Sequence, residues 1–88
     1  MGYHLKIKKN ARKELPKLKS IHLNNKFDEL IKVIQENPFQ SPPPYEKLTG
    51  FPYYSRRLNI QHRLVYSVDE ESKTITILSV WSYYERGF

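Results

Sequence analysis

The sequence contains no cysteine, which excludes a disulfide framework, a thiol nucleophile and a Cys-ligated zinc site. It also lacks any run of about 18 apolar residues, the length a membrane-spanning helix needs. The opening "MGYHLKIKKNARK" carries charge without the apolar stretch of a secretory leader. Lys6 stands where N-myristoylation behind Gly2 wants Ser or Thr. A cytoplasmic protein without membrane association is therefore expected. Acids are scarce: nine Asp plus Glu face fifteen Lys plus Arg, for a formal net charge of +6. That balance favours a polyanionic partner such as nucleic acid, an acidic protein or anionic lipid. His4, His22 and His62 share no metal-ligand spacing, so neither a metal nor another cofactor is expected.

What the chain does contain is apolar and aromatic bulk for one small core: 39% hydrophobic residues, including seven Tyr and four Phe, against 27% charged. At 88 residues a single domain over 1–88 is expected, without repeat or linker and with material for one site. In "YHLKIKK", Tyr3, Leu5 and Ile7 alternate with His4, Lys6 and Lys8, the pattern of a half-exposed strand at or next to a sheet edge. Asn10 is placed to cap a short helix in "ARKELPKLKS", with Leu15 and Leu18 inward and Pro16 expected to kink or end it. Asn24 or Asn25 then opens a second helix in which Phe27, Leu30, Ile31 and Ile34 fall at i, i+3, i+4 and i+7, with Asp28 and Glu29 near its positive end.

Pro38, Pro42 to Pro44, Thr49, Gly50 and Pro52 mark the loop that follows. Within it "PPPY" has the form of a short polyproline-type ligand, but the pattern is only four residues long and rigid spacing ahead of Glu46 is the expected use. The segments "YYSRRL", "RLVYSV" and "TITILSVWSYY" read as an antiparallel meander, with a hairpin at "DEESK". The expected fold is α+β: two N-terminal helices packed on one face of a small twisted, mainly antiparallel sheet.

"SRRLNIQHRLVY" places Arg56, Arg57, His62 and Arg63 among strand residues that a small core cannot easily hold. If Leu64, Tyr66 and Val68 pack on the helices, Arg63 points the other way, where it meets one of Arg56 or Arg57. Two arginines on an open sheet face suit a phosphate, because guanidinium offers planar bidentate donors and stays charged. Glu46, beside Lys47 and far from other acids, has the chemistry of a general base for a ribose 2′-OH. Tyr83 and Tyr84 near the C-terminus can stack on bases, donate a proton or simply pack.

The run "NPFQSPPPYEKLTGFPYYSRRLNIQHRLVYSV" followed by "VWSYYE" resembles the YoeB/Txe toxins of bacterial type II toxin–antitoxin systems, within the RelE-like superfamily. That family shows a "PF" after its long helix, an acid ahead of a Leu, then "G", two aromatics, "SRR", "HRLVY" and a closing His-Tyr. The resemblance implies a RelE-like fold and a ribosome-dependent mRNA endoribonuclease that cuts in the A site. It implies a cognate antitoxin of the YefM/Axe kind as partner, besides ribosome and mRNA, and family members often form homodimers. The family's acid maps to Glu46, its phosphate-binding Arg to Arg63, and the second Arg of "SRR" to Arg57. Lys47 is the nearest counterpart of its Lys near the acid, and Arg56 and His62, which fall in its "SRR" and "HRLVY" motifs, are candidates with Lys47 and Arg57 for binding phosphate or RNA. The family's penultimate His falls on Tyr83 and its last Tyr on Tyr84, so the general acid is the position where this chain departs. Lys8, Lys9, Lys13, Lys17 and Lys19 form a basic cluster suited by charge to ribosomal RNA.

Overall fold

Alternation of Tyr3, Leu5 and Ile7 with charged residues yields a strand in the computed structural model, which describes residues 2–80. Strand β1 (His4–Ile7) is followed by helices α1 (Lys9–Ser20) and α2 (Asn24–Glu36). Then come β2 (Glu46–Lys47), β3 (Tyr54–Arg57), β4 (Arg63–Asp69) and β5 (Thr74–Ser79). The five strands form one sheet in the order β1-β5-β4-β3-β2. β1 runs parallel to β5, and the other three pairings are antiparallel. This is the expected α+β layer fold, with the first strand at a sheet edge.

Three local expectations are corrected. Asn10 does not cap α1: the helix starts at Lys9, Lys8 occupies the cap position in an extended conformation, and no side chain caps it. Pro16 does not end α1, which continues to Ser20. Buried Ala11 before the proline and Leu18 after it are both packed in the core, so packing on each side outweighs the one backbone bond that proline cannot donate. In α2 the first turn holds no acid, because the helix opens at Asn24 and Asp28 and Glu29 fall beyond the turn where the dipole acts. Its start is made by the backbone instead, Phe27 N–H donating to the Leu23 carbonyl at 3.0 Å.

Between the helices the chain reverses at His22, which adopts φ 63°. The Leu23 N–H donates back to Leu18 O at 2.8 Å, satisfying a carbonyl that the end of α1 would leave open. The core lies between helices and sheet: Ala11, Leu18, Phe27, Leu30 and Ile34 pack with Leu64, Tyr66, Ile75, Ile77 and Val80. Glu14 fastens α1 to the end of β5, its Oε1 accepting from Val80 N–H at 2.9 Å and from the Ser79 hydroxyl at 3.3 Å. Among the described residues no helix is long and apolar enough to cross a membrane.

Candidate active site

Side chains of directly paired antiparallel residues share a face, so register decides which groups meet. Glu46 pairs with Ser55, Ser55 with Val65, and Arg57 with Arg63; these lie on the side away from the helices. Arg56 pairs with Leu64 and Tyr54 with Tyr66, on the core side. The two neighbouring arginines thus point to opposite faces, and register selects Arg57 for the one away from the helices.

On that face Arg63 Nη2 donates to Glu46 Oε1 at 2.7 Å, and Arg63 Nε donates to the Ser55 hydroxyl at 3.1 Å. Pro44, Tyr45, Glu46, Arg57 and Arg63 line a cleft of ≈ 350 Å³, the lower end of the size that takes a small ligand. The Arg63 side chain is 18% exposed and the Glu46 side chain 60%, so a held guanidinium meets a carboxylate open to solvent. Ion pairs this exposed contribute only about 0–1 kcal/mol to folding. The pair is therefore better understood by what it can bind than by what it stabilises. A carboxylate able to accept a proton, next to two permanent cations, can grip a phosphate and deprotonate a neighbouring hydroxyl.

Glu46 was expected in the proline-rich loop, but it opens the short edge strand β2, a segment too brief to show any periodicity. Sequence reasoning also missed Ser55, which orients Arg63; its odd-numbered register with Arg57 and Arg63 on paired strands was the available signal. Arg56 is a correction. Expected among the RNA contacts, it is 0% exposed. Its guanidinium donates to the carbonyls of Pro43 at 2.6 Å, Gln40 at 2.8 Å and Pro38 at 3.1 Å, and to the Tyr66 hydroxyl at 3.2 Å. Backbone dipoles take the place of water around this cation. Burial pushes the Tyr66 phenol above its ordinary range, with Arg56 opposing. The protonated phenol donates to Pro38 O at 2.7 Å.

Lys47 follows Glu46 on β2 and pairs with Tyr54, so alternation turns it to the other face. It borders a separate hollow formed with residues 48–52. His62 closes the β3–β4 turn, its carbonyl accepting from Leu58 and Asn59 N–H at 2.9 and 3.1 Å, and it does not line the cleft. Lys8, Lys9, Lys13, Lys17 and Lys19 are all exposed; Lys9, Lys13 and Lys17 recur every fourth residue along one side of α1. Tyr83 and Tyr84 lie outside the described residues. Among the described residues no group of three or more His, Cys, Asp or Glu is assembled that could hold a metal ion.

Comparison with known proteins agrees with this architecture. A family profile for YoeB-like toxins of bacterial type II toxin–antitoxin systems matches residues 17–84. The YoeB–YefM complex from Staphylococcus aureus contains a chain 30% identical, with a TM-score of 0.77 over 96% of this chain and 100% of that one. The S. aureus YoeB dimer has the same identity and coverage with a TM-score of 0.80. A YoeB/ParE toxin from Agrobacterium tumefaciens, 22% identical, shares the fold with a TM-score of 0.82 over 92% of this chain and 99% of that one. No curated protein matches the chain significantly. The matched segment contains the cleft residues Glu46, Arg57 and Arg63 as well as Tyr83 and Tyr84. The chain belongs to the family of YoeB-like toxins of bacterial type II toxin–antitoxin systems.

Proposed function

We propose that this toxin is a ribosome-dependent endoribonuclease that cuts mRNA in the A site. The observation that carries the reading is the convergence of Glu46, Arg57 and Arg63 on the sheet face away from the helices, with Glu46 and Arg63 2.7 Å apart. A substrate phosphate competes with Glu46 for the Arg63 guanidinium. As it binds, the carboxylate is released to take the proton of the adjacent 2′-OH. The 2′-oxygen then attacks phosphorus in line, Arg63 and Arg57 neutralise the charge growing on the phosphoryl oxygens, and a 2′,3′-cyclic phosphate forms. The departing 5′-oxygen leaves as a 5′-OH, protonated by Tyr83 in the sequence position of the family's His, with Tyr84 in that of its last Tyr. No cofactor enters this chemistry.

A second reading rests on one sequence observation, Tyr where the family carries its penultimate His. A phenol with a reference pKa of about 10 keeps its proton at neutral pH but transfers it less readily than an imidazolium of about 6.5. In that reading the chain binds ribosome and antitoxin with weakened cleavage. The antitoxin is of the YefM kind, as in the S. aureus complex, and self-association follows the S. aureus YoeB dimer.

The test is cleavage of end-labelled mRNA on ribosomes with an occupied P site. Glu46→Ala is expected to lower the cleavage rate about 10²-fold, the loss of one general base. Undiminished cutting by that variant would remove Glu46 from the mechanism. The exposed lysines of α1 supply the ribosomal RNA contacts. Reversing the charge of Lys9 and Lys13 is expected to raise the ribosome dissociation constant and to flatten its dependence on salt, because fewer counterions are released. A salt slope equal to that of the unsubstituted chain would assign the contacts elsewhere.

A further inference from the structure

We infer that Arg56 is a positioning residue: by gripping the carbonyls of Pro38, Gln40 and Pro43 it fastens the segment that delivers Glu46 to Arg63. Its kinetic consequence rests on the nuclease reading above, and its structural consequence does not.

The segment between α2 and β2 holds four of the chain's six prolines, Pro38 and Pro42 to Pro44. Each lacks an N–H, so the segment has few backbone donors of its own: Gln40 N–H donates to Asn37 O at 3.1 Å, and the proline positions add none. It offers carbonyls, and carbonyls need donors from elsewhere. A guanidinium carries five N–H groups in one plane, and Arg56 spends its donors on three of these carbonyls and on Tyr66. Tyr66 adds a second hold on Pro38. The ring of Tyr45, the residue before Glu46, lies 5.0 Å from the Arg56 guanidinium carbon and contacts Phe39 and Tyr54, with ring centroids 6.0 Å away in each case.

On its other side β2 has two residues, well short of what a strand needs to stand by itself, and the chain is next held at Leu48, which is buried and whose N–H donates to Tyr53 O at 2.9 Å. The placement of the carboxylate therefore depends on two anchors, Leu48 behind it and the Arg56-held segment ahead of it. β3 supplies both halves of the arrangement from adjacent residues: Arg56 grips the segment bearing the base, and Arg57 lines the cleft with it. Arg56 has no carboxylate partner among the described residues; a buried cation so placed is an expensive way to stabilise a fold, and an apolar side chain of similar volume would do so at lower cost. Its geometry is what an apolar side chain would lack. Lysine keeps the charge but gathers its donors on a single atom, so it cannot span three carbonyls.

The experiment compares the full chain with Arg56→Lys by amide hydrogen exchange and by single-turnover cleavage on programmed ribosomes, each alone and combined with Glu46→Gln. Exchange at the Leu48 amide is expected to quicken about tenfold or more while β4 and β5 amides stay within about twofold, the signature of local rather than global opening. The cleavage rate at saturating toxin is expected to fall about 10²-fold, the cost of misplacing a reacting group by about 1 Å, with little change in the half-saturating concentration. In the Glu46→Gln background the same substitution costs nothing further, because there is no base left to position. Unchanged exchange at Leu48, or equal quickening throughout β4 and β5, overturns the inference. So does a cleavage loss that persists in full beside Glu46→Gln. If the unsubstituted chain does not cut ribosome-bound mRNA, the nuclease reading falls and the exchange result alone decides the role of Arg56.

Discussion

Arg63→Ala is expected to lower A-site cleavage by about 10²- to 10³-fold, the loss that follows removal of one preorganised donor to a developing oxyanion. The fold is expected to survive the change. Arg63 contacts a carboxylate that is 60% exposed, and such pairs contribute only about 0–1 kcal/mol. Its other side-chain bond among the described residues, to the Ser55 hydroxyl at 3.1 Å, is a single net hydrogen bond of about 1 kcal/mol. Activity and stability are thus predicted to separate by an order of magnitude. Arg63→Lys should recover part of the rate, since it restores the charge without the planar fork. Thermal unfolding run beside the cleavage assay checks both halves. A loss of stability large enough to account for the lost rate, or cutting that proceeds unchanged, would contradict the assignment of Arg63 to the phosphate.

Tyr83→His is the second large effect, and it is a gain. A well-placed general acid contributes about 10²- to 10⁴-fold, so restoring imidazole at this position should raise the cleavage rate toward that range. The pH dependence distinguishes the two acids. A general acid must hold its proton to act, so the rate falls as pH rises through its pKa. The decline should set in near pH 6.5 with His and near pH 10 with Tyr, by their reference values of about 6.5 and about 10. If the unsubstituted chain already cuts as fast as the His variant, tyrosine is a competent acid and the impaired-toxin reading is abandoned. If neither cuts, the nuclease reading fails and ribosome and antitoxin binding remain.

The secondary-structure pattern and the family were accessible from residue order. In α2 the apolar stripe at Phe27, Leu30 and Ile34 becomes a buried face, because helical spacing alone puts those side chains on one side. The opposite facing of Arg56 and Arg57 likewise follows from strand geometry. Pro16 shows the limit of such reasoning: the local rule against proline is real, but core contacts on both sides of it carry more free energy than one missing hydrogen bond.

Which arginine turns inward was beyond reach, because a period of two is equally satisfied by either choice. Pairing with β4 decided it, setting Arg56 against Leu64 and Arg57 against Arg63. The inward choice is tolerable only because carbonyls 13 to 18 residues away in the chain converge on the guanidinium. Backbone carbonyls are common to every residue and leave no mark in composition. The Glu46–Arg63 contact spans 17 residues and depends on a two-residue strand. By itself the sequence determined the two helices and the four longer strands, their amphipathic faces and the chemical groups available, since these follow from each residue and its near neighbours. Only the tertiary structure decided which of those groups meet, since register and long-range acceptors are set by partners that folding brings from elsewhere in the chain.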